Sequence, residues 1–257
     1  MLNFHVFRFD PSKDKESRFD RFEVPSLGSG MTVLDGLYYI LENLDQTLAF
    51  RSSCRAGACG SCAMHISAGG GALGGNGQYR LACNTLIETL IPGAINNNVT
   101  GQIMIRPLAH LPVLKDLVVD LTNFFRHYET IKPYLITTAS LPDKEFIQST
   151  KQRKKIDKMI DCILCGACYG SCPVAAGRPD YLGPHALLKA ARFLFDSRDT
   201  ADEERIKLVG HNAGAFRCHT IFNCQQVCPK DIDPAGAIAR LKMKIILDKL
   251  RRFFGRS

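Results

Sequence analysis

The chain has 257 residues, of which 46% are apolar and 11 are cysteine, and its formal net charge is +8. This length suggests one large or two modest domains, and the apolar fraction excludes disorder for most of the chain. The sequence begins without the basic and apolar regions of a signal peptide, and it has no apolar run of roughly 18 residues. We therefore expect no signal peptide and no transmembrane helix.

The first part of the chain is predicted to combine strands with a helix. Alternating or short apolar runs predict strands, in chain order, over residues 3–9, 21–24, 63–66 and 102–105. Thr32 is predicted to be the N-cap of a helix, with Asp35 as the acid of a capping box. The glycine-rich segment 67–77 is expected to form an exposed loop.

The second part of the chain is predicted to be helical. The helix candidates, in chain order, are residues 115–126, 144–159, 184–195, 201–208 and 234–254. Pro184 and Pro234 are expected near first-turn positions, where a missing N–H has no cost. Pro107 and Pro112 interrupt regular structure between the two parts, so we place the domain boundary there.

The first group of cysteines has the spacing of a metal-binding loop. Disulfides are rare in cytosolic proteins and the cysteines are odd in number, so we expect these residues to bind metal or to take part in chemistry. The pattern is Cys54-x4-Cys59-x2-Cys62 followed by Cys83. This spacing is typical of a plant-type [2Fe–2S] cluster, whose iron is suited to soft thiolate ligands. A zinc site is the alternative, although the spacing is uncommon for zinc.

The residues between these cysteines are suited to wrapping a cluster. Gly57 and Gly60 can adopt positive φ, which lets backbone N–H groups point at the sulfur atoms. Arg51 and Arg55 are expected to offset the negative charge of the cluster.

The second group of cysteines matches the run of bacterial two-cluster ferredoxins. The pattern is Cys162-x2-Cys165-x2-Cys168-x3-Cys172-Pro173. In such proteins the fourth cysteine of one run serves the other cluster, so a second run is expected.

The second run is present with one cysteine replaced. Counting back from Cys228 at the same offsets gives Cys224, Ile221 and Cys218. The predicted [4Fe–4S] ligands are Cys162, Cys165, Cys168 and Cys228. The predicted [3Fe–4S] ligands are Cys172, Cys218 and Cys224. A [4Fe–4S] cluster with water or His219 as its fourth ligand is the alternative at this second site.

The element order and the cysteine spacings together predict an α+β protein. Residues 1–106 are predicted to form a plant-type ferredoxin (β-grasp) domain that binds [2Fe–2S]. Residues 107–257 are predicted to form an all-α bacterial-ferredoxin-like domain that carries [4Fe–4S] and [3Fe–4S]. Three clusters without another catalytic motif indicate a protein that transfers electrons.

Four segments resemble the iron–sulfur subunit of succinate dehydrogenase and fumarate reductase. They are RSSCRAGACGSCAM at 51–64, CILCGAC at 162–168, FLFDSRD at 193–199 and RCHTIFNC at 217–224. The isoleucine in place of a cysteine is a feature of the same family, and the resemblance covers essentially the whole chain.

The resemblance implies the electron-transfer subunit of a succinate:quinone oxidoreductase. A flavoprotein partner carrying FAD would interconvert succinate and fumarate, so this chain would hold no catalytic residue. Single electrons would pass through the three clusters to a quinone near a membrane-anchor cytochrome b subunit, which often carries haem b. The chain would lie on the cytoplasmic face of the inner membrane, held by that anchor, and would not bind nucleic acid.

The family has its quinone site near the [3Fe–4S] cluster, and the matching residues here are Pro173, His219 and Lys242. An ordinary solvated lysine is the alternative interpretation of Lys242. Many ubiquinone-linked members carry tryptophan shortly after the Cys-Pro pair, whereas residues 174–177 and the rest of this chain contain none. This departure favours menaquinone.

The positive charge is concentrated in two segments. Residues 240–257 carry a net +6 and residues 151–158 a net +4, which leaves −2 for the remainder. The amphipathic stretch 240–254 suits a membrane-facing anchor or anionic headgroups, or else an ordinary docked helix with a solvated face. A soluble polyferredoxin and a subunit of another flavoenzyme are the alternative functions. The full-length resemblance favours the subunit of a succinate:quinone oxidoreductase over both.

Overall fold

A five-stranded sheet lies at the centre of the first part of the chain in the computed structural model, which describes residues 1–26, 28–69, 77–93, 101–137 and 142–255. Its strands are β1 (Leu2–Arg8), β2 (Arg18–Val24), β3 (Ala63–Ala68), β4 (Gln78–Leu81) and β5 (Gln102–Arg106). Their spatial order is β2-β1-β5-β3-β4, with β1 and β5 parallel and the other neighbours antiparallel. The four predicted strands are therefore present, and β4 is an additional one.

The alternation of β1 explains how the sheet builds its core. Phe4 and Val6 are buried on one face, and Arg8 continues that face as a buried charge. The Arg8 guanidinium pairs with the carboxylates of Asp116 (Nε to Oδ1, 3.1 Å) and Asp45. A buried charge is tolerated here because it is paired and hydrogen-bonded.

Helix α1 (Val33–Tyr39) packs on β1, where Gly36 leaves room for the ring of Phe4. The predicted capping box is confirmed. The Thr32 hydroxyl accepts a hydrogen bond from the Asp35 N–H (3.2 Å), and the Asp35 carboxylate accepts one from the Thr32 N–H (2.9 Å). Further helical turns of this part are Ile40–Leu44, Ala82–Asn84 and α2 (Ile87–Leu90).

The glycine-rich segment predicted to be a loop begins inside the sheet. Ser67 and Ala68 belong to β3, and Ser67 is buried. Residues 70–76 lie outside the described residues, so an exposed loop there stays a prediction.

The helix predicted over 115–126 is wrong in its first half. The chain forms instead β6 (Val113–Lys115), β7 (Val118–Val119) and then α3 (Thr122–Thr130). Between the two strands Asp116 adopts a positive φ of 48°. Its buried carboxylate accepts hydrogen bonds from the backbone N–H groups of Phe9 and Ala49, both at 3.0 Å. These bonds to distant segments override the helical spacing of the local apolar residues.

The rest of the described chain is helical, as predicted. Its helices are α4 (Thr150–Arg153), α5 (Ala167–Gly170), α6 (Pro173–Gly177), α7 (Gly183–Leu194), α8 (Asp202–Val209), α9 (Asn223–Gln226) and α10 (Pro234–Phe253). Helices α7, α8 and α10 match the predicted ones, and Pro184 and Pro234 lie in the first turns of α7 and α10. Single 3₁₀ turns occur at Met159–Asp161 and Ala215–Arg217.

The helix predicted over 144–159 is also wrong, because only one turn of it forms. Ser149 caps α4 through a capping box with Gln152, so the helix begins at Thr150. The segment ends with Lys158 at a positive φ of 56°. Five basic residues within 151–158 would repel one another along a continuous helix, which disfavours the longer element.

The chain groups into two compact units. One consists of Met1–Leu121 with Ile163–Gly170, and the other of Thr122–Cys162 with Ser171–Ser257. The domains over 1–106 and 107–257 stay a prediction, and the units differ from them in including β6, β7 and Ile163–Gly170 with the sheet.

The second unit has a core built around α7, which packs against α10 and α8. A buried ion pair between Arg205 and Asp199 (2.7 Å) lies beside it. Arg205 also donates to the backbone carbonyls of Ile131, Lys132 and Tyr134. The pair therefore fixes the chain that follows α3 to the start of α8.

Candidate metal centres

The loop from Cys54 to Cys62 directs backbone N–H groups at sulfur. The N–H groups of Ala56, Ala58 and Cys59 lie 3.3–3.4 Å from Cys54 Sγ. The Gly57 N–H lies 3.3 Å from Cys83 Sγ, which brings the fourth predicted ligand to the same loop. Such N–H donors stabilise thiolates, so the donor set fits a [2Fe–2S] cluster.

The predicted glycine conformations are confirmed. Gly57 has φ +64° and Gly60 has φ +76°, in the left-handed region. A Cβ atom at Gly60 would lie 2.8 Å from Cys165 Cβ and 2.9 Å from Cys165 Cα. The [2Fe–2S] loop therefore touches the backbone of the second cysteine run at Cys165, within the first unit.

The thiols of this loop differ in their environments. Hydrogen bonds with Ser61 and Cys54 lower the pKa of the Cys59 thiol to about 6. Burial raises the pKa of the Cys62 thiol to about 12. The two predicted charge-balancing arginines lie near the loop with other contacts. Arg51 donates to the Val119 carbonyl (2.8 Å), and the Arg55 guanidinium lies 4.2 Å above the ring of Tyr38.

The predicted [4Fe–4S] ligands are distributed over both units. Cys165 and Cys168 belong to the first unit, and Cys162 and Cys228 belong to the second. In the second unit, Lys189 Nζ donates to the Cys162 carbonyl (3.1 Å), and burial lowers the pKa of this lysine. This ligand set stays a prediction.

The three predicted [3Fe–4S] ligands share one cavity. Cys172, Cys218 and Cys224 all line one cavity that opens to solvent. Ile221 lines the same cavity and is 49% exposed. Burial raises the pKa of the Cys172 thiol and raises that of the Cys224 thiol to about 12.

A buried hydroxyl also faces this cavity. Tyr181 lines it, is 1% exposed, and its hydroxyl has no hydrogen-bond partner among the described residues. Burial, the charges of Cys218, Cys172 and Cys224, and the proximity of the hydroxyl to the Cys218 side chain raise the pKa of Tyr181, so the hydroxyl keeps its proton. Three thiols, an apolar residue in the place of a fourth ligand and an unsatisfied hydroxyl together fit a cluster held by three cysteines.

The residues predicted to form the quinone site lie beside this cavity. Pro173 and His219 line it, and Pro173 is the first residue of α6. Lys242 Nζ donates to the Cys218 carbonyl (2.7 Å), so this lysine is held against a predicted cluster ligand. Their role toward a quinone stays a prediction.

Sequence reasoning missed two residues of this site. Tyr181 reaches the cavity through the packing of the second unit and belongs to no spacing motif. Asn223 Nδ2 donates to the Ser171 carbonyl (3.1 Å), which ties α9 to the residue before Cys172. The position of Asn223 next to the predicted ligand Cys224 could have indicated that Asn223 belongs to the site. Nothing in the sequence around Tyr181 indicates that it does.

All eleven cysteines lie in described residues, and each is a thiol rather than half of a disulfide. Among the described residues, no three or more His, Cys, Asp or Glu side chains are arranged around one metal ion. Cluster thiolates bind different iron atoms and need not converge on one point. In the described part of the chain, no helix has the length and apolarity needed to cross a membrane.

Comparison with known proteins identifies two iron–sulfur domains. A family model described as "2Fe-2S iron-sulfur cluster binding domain" matches residues 3–126, and one described as "4Fe-4S dicluster domain" matches residues 158–232. The succinate dehydrogenase iron-sulfur subunit of Paracoccus denitrificans is 43% identical over 244 residues, which cover 95% of this chain and 87% of that protein.

Solved structures share the fold. A chain of the "Mycobacterium smegmatis Sdh1 complex in the apo form" superposes with a TM-score of 0.82 at 23% identity, covering 97% of both chains. A chain from the "crystal structure of a hypothetical protein from Helicobacter pylori" gives a TM-score of 0.52 at 17% identity, covering 94% of this chain and 39% of that one. The sequence-based family prediction is confirmed by the 43% identity. The chain belongs to the family of succinate dehydrogenase iron–sulfur subunits, with an N-terminal [2Fe–2S] domain and a C-terminal [4Fe–4S] domain, and is an electron-transfer part of an oxidoreductase complex.

Proposed function

We propose that this subunit passes single electrons between an FAD-containing flavoprotein and a quinone. The observation that carries the proposal is its 43% identity, over 95% of its length, to a succinate dehydrogenase iron-sulfur subunit. The dicarboxylate chemistry would take place on the flavoprotein. When bound, the clusters supply one-electron redox centres, and the residues of this chain hold and insulate them.

The proposed ligand sets follow the two cysteine patterns. The [2Fe–2S] ligands are Cys54, Cys59, Cys62 and Cys83. The [4Fe–4S] ligands are Cys162, Cys165, Cys168 and Cys228. The [3Fe–4S] ligands are Cys172, Cys218 and Cys224. Support for the last set comes from the common cavity of its three thiols and from Ile221, whose side chain cannot ligate iron.

The quinone is proposed to bind at the mouth of the three-cysteine cavity. His219 lines this cavity and is exposed, so its ring N–H can donate to a quinone oxygen. Lys242 is held on the Cys218 carbonyl, where its ammonium group offsets negative charge that develops on the quinone. Menaquinone is the proposed type, because the sequence lacks the tryptophan that many ubiquinone-linked relatives carry after Cys-Pro.

The proposed assembly contains two further subunits. They are a flavoprotein with FAD and a membrane-anchor cytochrome b subunit with haem b, which would hold this chain on the cytoplasmic face of the inner membrane. We infer a β-grasp ferredoxin domain over 1–106 and an all-α bacterial-ferredoxin-like domain over 107–257. The mixed sheet supports the first domain, and the helices of the second unit support the second.

Redox-titrated EPR of the complex purified through this chain tests the proposal. Flavin and haem should copurify, and three cluster signals should appear, including an oxidised-state [3Fe–4S] signal that menaquinol analogues reduce. Two [4Fe–4S] signals without a [3Fe–4S] signal would contradict the ligand assignment. Recovery of the native chain alone, with no flavoprotein, would support a soluble carrier instead.

A further inference from the structure

Helix α10 exposes an apolar face along its C-terminal half. Six apolar side chains there and at the C-cap are exposed: Met243, Ile246, Leu247, Leu250, Phe253 and Phe254. Phe253 is 82% exposed. Contiguous exposed apolar surface of this kind marks an interaction site more often than scattered single residues do.

The exposed face lies opposite the face by which α10 joins the second unit. Leu241 and Ile245 are fully buried, and the helix packs against α7. At 3.6 residues per turn, Met243, Leu247 and Leu250 point away from that side. The helix is therefore apolar on two opposite sides, whereas docking onto the unit requires only one.

Basic side chains flank the exposed apolar face. Toward α8, Lys244 and Arg252 are neutralised by Asp202 and Glu203. Within the described part of the chain, Lys249 and Arg251 have no acidic partner, and both are exposed. The two lie on opposite sides of the apolar face at helical spacing, so positive charge borders it on both sides.

A second basic segment adjoins α10. Arg240 donates to the carbonyl of Lys155 (3.1 Å), which belongs to the basic segment 151–158. The two segments that hold the positive charge of the sequence therefore meet on the surface of the second unit.

We propose that the outer face of α10 binds an anionic lipid surface. Its apolar side chains would enter the region between headgroups and acyl chains, and Lys249 and Arg251 would pair with lipid phosphates. Interfacial helices combine an apolar face with basic flanks in this way. A protein partner would need acidic groups along both flanks, whereas an anionic bilayer supplies negative charge on every side. This contact is made by the subunit itself, in addition to any anchor subunit, and does not depend on the cluster or quinone assignments.

Vesicle flotation with the full cluster-loaded chain tests this proposal. We expect binding to phosphatidylcholine vesicles that contain phosphatidylglycerol, weaker binding to pure phosphatidylcholine, and further weakening as salt is raised. Leu250→Glu should abolish flotation, and Arg251→Gln should weaken it about fivefold, since one cation near an anionic surface contributes roughly that factor.

Matched variants and a measurement of molecular mass distinguish lipid binding from two alternatives, a second copy of this chain and the anchor subunit. Leu44 and Leu250 are 47% and 46% exposed, so Leu44→Glu is the control for an added surface charge and should float like the unmodified chain. Equal flotation of Leu250→Glu and the unmodified chain would overturn the proposal. So would a dimer in light scattering that Leu250→Glu dissociates, or flotation only with vesicles that contain the anchor subunit.

A second inference concerns Tyr181 and rests on the proposed [3Fe–4S] assignment. The Tyr181 hydroxyl is buried, makes no hydrogen bond of ordinary geometry with the described residues and lies beside the Cys218 side chain, on the wall shared by the three thiols. We infer that it donates an O–H···S hydrogen bond to a sulfur of the bound cluster or of Cys218. One electron added to the cluster makes it more negative and strengthens this bond without breaking another. The hydroxyl therefore raises the reduction potential.

Tyr181→Phe tests this by removing only the hydroxyl. The equilibrium constant for one-electron reduction of the [3Fe–4S] cluster should fall about fivefold. Its midpoint potential should therefore fall by about 40 mV, at 59 mV per tenfold change. The [2Fe–2S] midpoint in the same sample and the exposed variant Tyr134→Phe are controls and should not move. An unchanged [3Fe–4S] midpoint overturns the role of Tyr181. Absence of any [3Fe–4S] signal in the unmodified complex overturns the cluster assignment instead.

Discussion

Ile221 stands where a fourth thiolate of the second cysteine run would be, and it lines the cavity of the other three. Replacement by cysteine supplies the missing ligand, so Ile221→Cys is expected to convert the site to [4Fe–4S] and lower its potential. EPR of the oxidised protein should lose the [3Fe–4S] signal, and iron analysis should gain one iron per chain.

Ile246→Cys is the matched control for this change, since it adds an exposed cysteine on α10 away from the cavity. It should keep the oxidised-state signal. If Ile221→Cys also kept the signal and the iron content, the position would not be a vacant ligand site.

His185 makes the stability of the second unit depend on pH. It is fully buried, stacks on the Phe124 ring at 3.7 Å between centroids, and burial lowers its pKa to about 3. In the unfolded chain the His185 imidazole binds a proton with its ordinary pKa of about 6.5, whereas in the folded chain it stays neutral. The free energy of unfolding therefore falls as the pH drops below about 6.5. Between about pH 7.5 and 5.5 the loss is about 1.4 kcal/mol.

His185→Gln should remove this part of the pH dependence. Urea unfolding at both pH values gives the comparison, and the other histidines cancel because they are present in both proteins. Parallel curves for the variant and the unmodified chain would show that His185 does not titrate in this way.

At the scale of residues, the sequence predicted what local spacing determines. The loop of Cys54, Cys59 and Cys62 and the positive φ of Gly57 and Gly60 depend on neighbours within a few positions. Tyr181 and the contact of Lys242 with Cys218 depend on how distant segments pack, which no spacing rule encodes.

At the scale of elements, α10 offers an internal comparison of its two faces. Leu241 is fully buried within the second unit, whereas Leu247 is 46% exposed. Leu241→Ala should lower the free energy of unfolding by about 2–5 kcal/mol because it removes packed methylene groups and leaves a cavity. Leu247→Ala should change it by less than about 0.5 kcal/mol.

Urea unfolding followed by far-ultraviolet circular dichroism measures both variants. Equal losses would mean that the outer face of α10 is also packed in solution. A negligible loss for Leu241→Ala would mean that α10 contributes little to the core of the second unit.

Helices α7, α8 and α10 were predictable from the local pattern, and in α7 and α10 the apolar face extends over three turns or more. The two errors have different causes. Over 115–126, the carboxylate of Asp116 binds distant backbone and forces a strand pair. Over 144–159, repulsion within the basic segment and the cap at Ser149 leave a single turn. The contacts of Asp116 join distant parts of the chain, so a local sequence pattern could not predict them. The repulsion within 151–158 could have been predicted from the charges in the sequence.

At the scale of the whole molecule, cluster binding and folding should be coupled. The ligands Cys172, Cys218 and Cys224 come from separated parts of the second unit, so only the folded chain presents them together. A group that binds the folded state alone stabilises it. Removal of iron with a chelator under reducing conditions should therefore lower the melting temperature measured by calorimetry.

Reconstitution with iron and sulfide should restore the original melting temperature. The same chelator added to iron-free protein is the control and should have no effect. Identical melting of the loaded and iron-free chains would show that the fold forms without help from the clusters.

The grouping of Ile163–Gly170 with the sheet has a consequence for how the chain is made. Helix α5 packs on β4, and Gly170 lies against Tyr79, so the first unit is incomplete until residue 170 has been synthesised. A ribosome delivers the chain from its N-terminus at about 5–20 residues per second. Segment Ile163–Gly170 therefore becomes available to the sheet several seconds after residue 121, and residues 122–162 of the other unit are synthesised in between. Expression of the first 121 residues alone would yield a sheet without that piece.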